Sequence, residues 1–283
     1  MKLTGLFDGD ILAYRAGFAA EKTYYFDSRK PPENGGRTWQ YKKEIISAVP
    51  PEFIDKARNL EPIENALYNV KSLVNNSLEA LEYHYDTDDI EYETFVSGNK
   101  TKQNFRKSVD EEYKANRTGS HRPTYLPELL EYIIEHHNGY STEGCEADDF
   151  FGHACITARE RGRTPVIISI DKDLQQIAGH HYHPIKNIFS IVSSEEADLV
   201  FWRQMLQGDD ADNIPGISGI GNKRVKRYLP NGTTNKAAQN IVIKYYKRDF
   251  KEGWRERYNK NAQLLWIWKK IPDECPFQLQ DST

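Results

Sequence analysis

The chain has 283 residues, 38% of them hydrophobic, and a formal net charge of -4. A chain of this length buries a sizeable core, as one large domain or one with a small appendage. We recognise no membrane-spanning run and no signal peptide, so we expect a cytoplasmic monomer without a membrane partner. The three cysteines are too few and too scattered for a disulfide framework or a zinc cluster.

The first predicted strand ends in carboxylates. The apolar run Leu3–Phe7 is followed by Asp8-Gly9-Asp10, and residues 11–20 have helical periodicity. Ligands of open α/β sheets bind at the carboxyl ends of the strands. Asp8 is therefore a candidate metal ligand, and Asp10 is a candidate partner behind it.

The next segments predict mainly structural elements. Aromatic runs at 23–26 and 38–41 flank a Pro/Asn/Gly segment and predict a β-hairpin, whose aromatic residues we expect to pack rather than to contact DNA. Residues 61–84 carry an apolar stripe with helical spacing. Residues 91–96 alternate as a strand, which is followed by Ser97-Gly98-Asn99.

A basic segment covers residues 104–117. Lys114 offers a point charge to a phosphate and Arg117 a planar bidentate donor, so the two could stabilise negative charge in a transition state. Tyr113 is a candidate platform for stacking on a terminal base. An exposed helix with solvated charges is the alternative. Further candidate nucleic-acid contacts in this segment are Arg106 and Lys107.

Three acidic clusters follow along the chain. The first opens a predicted helix, where acids also complement the helix dipole. The second follows the continuous apolar strand 164–170, which is typical of a buried parallel strand. The third follows a helix predicted to end at Leu206. Carboxylates of this kind suit hard divalent cations, and the candidates are Glu146, Asp148 and Asp149; Asp171 and Asp173; Asp209 and Asp212.

A glycine turn follows the last acids. Gly219 and Gly221 should let the backbone turn tightly and approach a ligand closely. A helix is predicted to start there, with amides able to hold a phosphate. The cations that follow are Lys223, Arg224, Lys226 and Arg227. A Gly/Pro-rich surface turn with solvated charges is the alternative.

These motifs resemble the 5′-nuclease superfamily, and bacteriophage 5′→3′ exonucleases most of all. The matching residues are Tyr-Lys-Ala-Asn-Arg at 113–117, Glu-Ala-Asp-Asp at 146–149, Ser-x-Asp-x-Asp at 169–173 and Gly-Asp-x-x-Asp-Asn-Ile-Pro-Gly at 208–216. The resemblance implies an α/β fold: a PIN-like core with a mostly parallel central sheet flanked by helices. It also implies a helical arch at about residues 100–122 and a helix–three-turn–helix. We expect a nuclease core over 1–206 and a DNA-binding region over 207–283.

The resemblance also implies the chemistry. Two Mg²⁺ or Mn²⁺ ions would be held by Asp8 and the seven acids of the three clusters, with K⁺ at the glycine turn. The expected activity is a 5′→3′ exonuclease in phage DNA replication, with flap cleavage or RNA-primer removal. Its partners would be DNA with a 5′ end, flap or nick, and RNA–DNA hybrids.

One position departs from the family pattern. Ser97-Gly98-Asn99 stands where the family usually has an aspartate, which puts the affinity for the second metal in question. A catalytically weak, structure-specific DNA-binding protein is therefore one alternative. A PIN-type ribonuclease is the other, although such domains usually lack the glycine turn and basic helices.

Overall fold

A computed structural model describes residues 1–98, 104–117 and 119–279. Within these residues the strands are β1 Leu3–Asp8, β2 Glu21–Asp27, β3 Thr38–Trp39, β4 Ile54–Leu60, β5 Ile90–Ser97, β6 Gly139–Thr142, β7 Thr164–Ile168, β8 Gly179–His183, β9 Ile188–Val192, β10 Gly208–Asp209 and β11 Ile214–Pro215. The helices are α1 Gly9–Ala19, α2 Lys42–Ile45, α3 Ile63–Tyr85, α4 Phe105–Val109, α5 Leu126–His136, α6 Asp148–Glu160, α7 Ser194–Gln207, α8 Asn222–Tyr228, α9 Asn235–Phe250 and α10 Trp254–Leu265. None of the helices in these ranges is long and apolar enough to cross a membrane.

The central sheet has six strands in the order β6-β5-β1-β7-β8-β9. β1 lies between two parallel neighbours, because Leu3 pairs with Ile90 on one side and with Thr164 on the other. The β5–β6 and β7–β8 pairs are also parallel, and only β9 at the edge is antiparallel. The predicted mostly parallel sheet flanked by helices is confirmed. The carboxyl ends of β1, β5 and β7 therefore share one edge.

Buried apolar side chains cover both faces of this sheet. One core cluster joins β1 with α1, α3 and α5, where Val70, Leu81 and Ile133 are fully buried. The other joins the opposite face to α6 through Phe151. β1 is buried along its whole length, as its continuous apolar sequence predicts.

A further core lies in the C-terminal region. It is built from α7, α8, α9 and α10, with Trp202, Tyr246 and Tyr258 completely buried. The buried residues of α7 belong to this cluster, so the expected boundary after residue 206 falls inside it.

Two details of this region differ from expectation. The sequence of residues 254–270 predicts one helix, but α10 ends at Leu265 because the chain becomes extended at Trp266. The sequence of residues 275–283 predicts a loose tail, yet the part of it that is described, residues 275–279, is packed. Cys275 is buried, and the carbonyl of Phe277 accepts a hydrogen bond from Tyr258 Oη at 3.0 Å.

Residues 21–60 form a separate antiparallel sheet in the order β3-β2-β4. The predicted hairpin is confirmed, since Tyr25 pairs with Trp39. The third strand, β4, was not predicted, because its sequence Ile-Asp-Lys-Ala-Arg-Asn-Leu lacks a clear alternating pattern.

Candidate active site and nucleic-acid interface

The edge formed by the carboxyl ends of β1 and β7 gathers acids from distant parts of the chain. Asp8 ends β1 and caps α1, accepting a hydrogen bond from Ile11 N at 3.1 Å. The hydroxyl of Ser169, just after β7, donates a hydrogen bond to Asp8 Oδ2 at 2.9 Å. The same hydroxyl oxygen accepts a hydrogen bond from Asp171 N at 2.9 Å. Asp173 N in turn donates to Asp171 Oδ1 at 2.8 Å. These local bonds fix the acids that the sequence could only place near one another.

The acids line an open cleft of about 1710 Å³. Among the predicted metal ligands, all but Asp149 line it: Asp8, Glu146, Asp148, Asp171, Asp173, Asp209 and Asp212. The positively charged residues that line the same cleft are Lys107, Lys114, Arg117, Arg122 and Lys172. The structure thus brings acids from four sequence segments to one cleft.

Burial and neighbouring carboxylates raise the pKa values of three of these acids. Burial and the nearby Asp10 raise the pKa of Asp8 to about 7. Burial and Asp171 raise the pKa of Asp173 to about 7. Burial and Asp8 likewise raise the pKa of Asp148. Concentrated negative charge in a partly desolvated cleft favours the binding of cations.

Two side chains from the basic segment lie on this cleft. Lys114 Nζ is 2.5 Å from Glu146 Oε1 and 3.7 Å from Asp212 Oδ2, while Arg117 forms an ion pair with Asp212. Burial raises the pKa of Glu146, but Lys114 and Arg106 outweigh it and hold that pKa below its usual value. Lys114 and Arg117 therefore lie at the acids.

The backbone around Lys114 is fastened to the third acidic cluster. Lys114, which has a φ of 58°, donates its backbone N–H to Asp212 O at 2.9 Å. Asn116 Nδ2 donates to Asp210 O at 2.6 Å, and Asn213 Nδ2 donates to Glu112 O at 2.8 Å. The segment predicted as the base of the arch thus docks directly on the acidic turn.

Tyr113 does not have the predicted role. Its side chain is only 3% exposed, so its ring has no free face for stacking on a base. Its hydroxyl lies 2.9 Å from Asp212 Oδ2 and 3.2 Å from both Glu146 carboxylate oxygens. Tyr113 instead links two acids from below the cleft.

Arg106 and Asp149 are also corrected by the structure. Arg106, predicted to bind nucleic acid, is 3% exposed and forms a bidentate pair with Asp149 at 2.6 and 2.8 Å. It also donates to the carbonyls of Leu264 and Trp266 at 2.9 Å each. Asp149, predicted as a metal ligand, is fully buried and accepts Glu146 N at 3.1 Å. The buried pair holds the start of α6 and the backbone of Glu146 in place, and neither Arg106 nor Asp149 is exposed for contact with a ligand.

The position of the missing aspartate is partly described. Ser97, at the end of β5, accepts Ala147 N at 3.1 Å, while Asn99 lies outside the described residues. Both carboxylate oxygens of Asp10 accept Ser97 N, at 3.0 and 3.2 Å. Asp10 lines the cleft, so a carboxylate does stand at the end of β5, supplied from α1. The Asp-Gly-Asp spacing was its only sequence signal.

The donor set fits hard divalent cations in its chemistry. It consists of carboxylate oxygens, and Asp173 Oδ1 is buried without a hydrogen-bond partner. Yet among the described residues no three Asp, Glu, His or Cys side chains converge as a ready-made metal site. Glu146 and Asp212 pair with Lys114 and Arg117 instead.

The glycine turn has a different construction from the predicted one. The sequence assigned the close backbone approach to Gly219 and Gly221, but a Cβ on Gly221 would meet nothing within 4 Å. The close approach is at Gly208 and Gly216: a Cβ on Gly216 would lie 2.0 Å from Gln207 O, and Gly208 has a φ of 69°. Gly219 has a φ of 74°, a left-handed backbone conformation that favours glycine.

A basic helix follows the turn as predicted. α8 begins at Asn222 after Gly221, and its cations Lys223, Arg224, Lys226 and Arg227 are all exposed. Arg224 Nη1 donates to Gly219 O at 2.8 Å. Asp249, which no sequence motif marked, accepts Ser218 N at 3.0 Å and fastens the turn to α9. The turn therefore leads directly into a run of exposed cations.

The fold and the cleft define a class of protein: an α/β nuclease core with an acidic centre at the carboxyl edge of its sheet. Solved structures of similar fold include the D15 flap endonuclease of bacteriophage T5 in a complex with DNA and metal ions, at a TM-score of 0.55 and 14% identity. The match covers 93% of this chain and 89% of that one. The T5 5′-exonuclease with bound zinc gives a TM-score of 0.54 and 18% identity, over 94% and 89% of the two chains.

Sequence comparison gives the family. The family described as 5′-3′ exonuclease, N-terminal resolvase-like domain, matches residues 58–201, just over half of the chain. The chain belongs to this 5′-3′ exonuclease family of enzymes, within the 5′-nuclease superfamily. A 5′-3′ exonuclease of Buchnera aphidicola is 26% identical over 242 residues, which cover 78% of this chain and 80% of that protein. DNA polymerase I of Bacillus caldotenax is 28% identical over 187 residues, 58% of this chain but only 20% of the polymerase.

Proposed function

We propose that this protein is a divalent-metal-dependent 5′→3′ exonuclease that hydrolyses DNA from a 5′ end, flap or nick. The observation that carries the proposal is the cleft lined by acids from four segments, two of which pair with Lys114 and Arg117. The T5 relatives crystallised with DNA and with metal ions support both ligands. RNA-primer removal, and a place in phage DNA replication, extend the same proposal.

The acids of the cleft would hold two Mg²⁺ or Mn²⁺ ions. We assign this role to Asp8, Glu146, Asp148, Asp171, Asp173, Asp209 and Asp212, with Asp10 beside them and without Asp149. When bound, such ions lower the pKa of an attacking water and stabilise charge on the leaving oxygen. Lys114 and Arg117 would then exchange their carboxylate partners for the oxygens of the scissile phosphate.

The C-terminal region would hold the duplex. The exposed cations of α8 directly follow the glycine turn, and such a cluster of cations suits a phosphate backbone. A K⁺ ion bound at this turn belongs to the proposal. We propose the division into a nuclease core and a DNA-binding region with α7 shared between the two, since α7 packs in the C-terminal core.

A duplex with a 5′ flap, labelled at each end in turn and incubated with Mg²⁺, tests the activity. Stepwise release of mononucleotides or short oligomers from the 5′ end is the expected result. One cut at the flap junction would indicate endonuclease action, and preferential cutting of single-stranded RNA would indicate a PIN-type ribonuclease. An Asp171→Asn variant is the control, and activity equal to that of the wild type would contradict the assigned centre.

The absence of an aspartate at Ser97 favours a second candidate, a structure-specific DNA-binding protein that turns over poorly. Tight binding of the flap substrate without cleavage would support it. Asp10 opposes it, because its carboxylate already lies at the end of β5. An Asp10→Asn variant that cleaves as fast as the wild type would remove this objection.

A further inference from the structure

The sheet β3-β2-β4 has no part in the proposed chemistry, yet its surface is unusual for a structural unit. Most of it lies before residue 58, where the match to the family begins. None of its strand residues is fully buried, including the aromatic ones Tyr24, Tyr25, Phe26 and Trp39. Large aromatic rings that stay partly exposed on a sheet are available for contact with a ligand.

The strand register separates these rings onto two faces. Tyr25 pairs with Trp39 on one side and with Lys56 on the other. Thr23, two residues before Tyr25, pairs with Arg58. Directly paired residues of an antiparallel sheet project to the same face. One face therefore carries Tyr25 and Trp39 together with Lys56 and Arg58, and Tyr24 and Phe26 belong to the opposite face.

This aromatic face is rich in exposed cations. Lys56 and Arg58 are exposed, and Arg37 places its guanidinium carbon 5.1 Å from the centroid of the Trp39 ring. The alternation also places two acids on this side of β2, Glu21 and Asp27.

Both acids are already engaged. Glu21 Oε2 lies 2.5 Å from His121 Nε2, and Asp27 forms an ion pair with Arg29 at 2.6 Å. Burial raises the pKa of Glu21, but hydrogen bonds from His121 and Thr124 outweigh it and lower that pKa to about 2. The charges left for a ligand on this face are thus positive.

The sheet is fastened to the segment that borders the acidic cleft. Arg58 Nη1 lies 3.0 Å from His121 Nδ1, and Thr124 N donates to Glu21 Oε1 at 2.5 Å. Arg122, between these two anchors, lines the cleft. The two anchors of the sheet thus lie on either side of a residue that lines the cleft, and Arg58, a cation of the aromatic face, forms one of them.

We propose that this face, formed by Tyr25, Arg37, Trp39, Lys56 and Arg58, binds single-stranded nucleic acid, namely the unpaired 5′ flap of the substrate. Aromatic rings for stacking, set among cations for the phosphates, are the usual means of binding a single strand without sequence preference. The inference deepens the proposed function and rests on it, because it presumes a substrate with an unpaired 5′ strand.

Binding measured without cleavage tests the inference. The probes are a nicked duplex bearing a 5′ oligo(dT) flap of about 16 nucleotides, the upper range for a compact single-strand site, and the same nicked duplex without a flap. Fluorescence anisotropy in EDTA gives both affinities. The variants Tyr25→Ala and Trp39→Ala should each bind the flapped probe about tenfold more weakly. Their affinity for the flap-free probe should equal that of the wild type.

The opposite face supplies matched controls. Tyr24→Ala and Phe26→Ala remove rings of the same strand and should leave the flap affinity unchanged. Lys56→Glu keeps every aromatic ring, so it tests the face even if an aromatic variant fails to fold. It should weaken binding of the flapped probe and leave the affinity for the flap-free duplex unchanged.

Two outcomes would overturn the inference. One is flap affinity equal to the wild type in Tyr25→Ala, Trp39→Ala and Lys56→Glu, which would leave the face to a protein partner or to packing. The other is equal loss on both probes, which would make it a duplex contact. Failure of the proposed function is separate: the wild type would then cleave neither probe with Mg²⁺, whatever the binding shows.

Discussion

Two cation–carboxylate pairs, whose cations are eight residues apart in the sequence, have different surroundings. Arg106 and Asp149 form a bidentate pair with side chains that are 4% and 0% exposed. Lys114 pairs with Glu146 at exposures of 23% and 18%. The first pair is enclosed by protein and satisfied by backbone carbonyls, whereas the second faces an open cleft.

The comparison shows that burial, and not residue type, distinguishes an ion pair that stabilises the fold from one whose members are available to a ligand. A buried ion pair with every donor used cannot release its partners without a large penalty. A partly exposed pair is weak, because water screens it, so its members can be exchanged for a substrate or an ion. The predictions below test this contrast, starting with the largest effect.

Removing Arg106 should cost the most stability. Arg106→Met leaves the Asp149 carboxylate buried without its partner, and the free energy of unfolding should fall by about 3–5 kcal/mol. Urea unfolding followed by circular dichroism measures the loss. The neighbouring variant Lys107→Met is the control and should change stability by less than about 0.5 kcal/mol. A loss below about 1 kcal/mol for Arg106→Met would show that the pair is not structural.

Removing Lys114 should instead affect the reaction. Lys114→Met should slow single-turnover cleavage of a flapped duplex by about 100- to 1000-fold, because a donor to the developing phosphate charge is lost. Its stability should change by less than about 1 kcal/mol, as expected of a screened pair. Lys172→Met is the matched control: Lys172 also lies among the acids but is 77% exposed, and cleavage should stay within a few-fold. Equal rates for the two variants would contradict the contrast.

Neutralising one acid of the cleft should stabilise the metal-free protein. Burial and Asp171 raise the pKa of Asp173 to about 7, so the folded state disfavours its charged form. The resulting destabilisation grows as the pH rises from about 4 to about 7 and stays constant above that. Asp173→Asn should therefore raise the free energy of unfolding in EDTA at pH 8 by about 1 kcal/mol or more.

Mg²⁺ should make the wild type more stable than Asp173→Asn, the reverse of the order expected in EDTA. Mg²⁺ at 100 times its Kd stabilises a protein by about 2.7 kcal/mol, and Asp173→Asn should gain much less than the wild type. Thermal unfolding with EDTA and with Mg²⁺ measures both effects. Asp210→Asn changes an exposed acid of the third acidic cluster and should behave as the wild type. A destabilised Asp173→Asn in EDTA would show that this carboxylate has a structural partner.

The smallest effect is expected on the basic helix, where charges are neither buried nor paired across a cleft. Lys226→Ala should weaken duplex binding only a few-fold and reduce the slope of log K against log salt by about 1. Titrations at several salt concentrations measure the slope. Lys2→Ala, at the opposite edge of the central sheet and 65% exposed, should leave it unchanged. An unchanged slope in Lys226→Ala would remove this residue from the proposed interface.

Much of the fold followed from local patterns. The continuous apolar sequence before Asp171 predicted a buried parallel strand, and β7 is one. The apolar stripe of 61–84 predicted a helix, and α3 spans Ile63–Tyr85. Ser193-Ser194-Glu195-Glu196, a capping serine followed by early acids, likewise predicts a helix start, and α7 begins there. Each of these signals depends on neighbours within one or two turns, which is why the sequence carries it.

Errors occurred where a residue's role depends on distant contacts. Arg106 and Lys107 are adjacent cations, and nothing local shows that one meets Asp149 and the carbonyls after α10. Tyr113 is enclosed by residues of the C-terminal core. Gly208 and Gly216 are separated by seven residues, and their need to be glycine arises only because β10 and β11 fold back on each other.

The sequence by itself determined the kinds of elements, the order of the acidic motifs and the family resemblance that joins them. Only the tertiary structure showed which acids line the cleft, which cation is buried and that Asp10 lies at the end of β5. The physical reason is that periodicity and capping are short-range, whereas burial sets the strength of every charge interaction and depends on the whole fold.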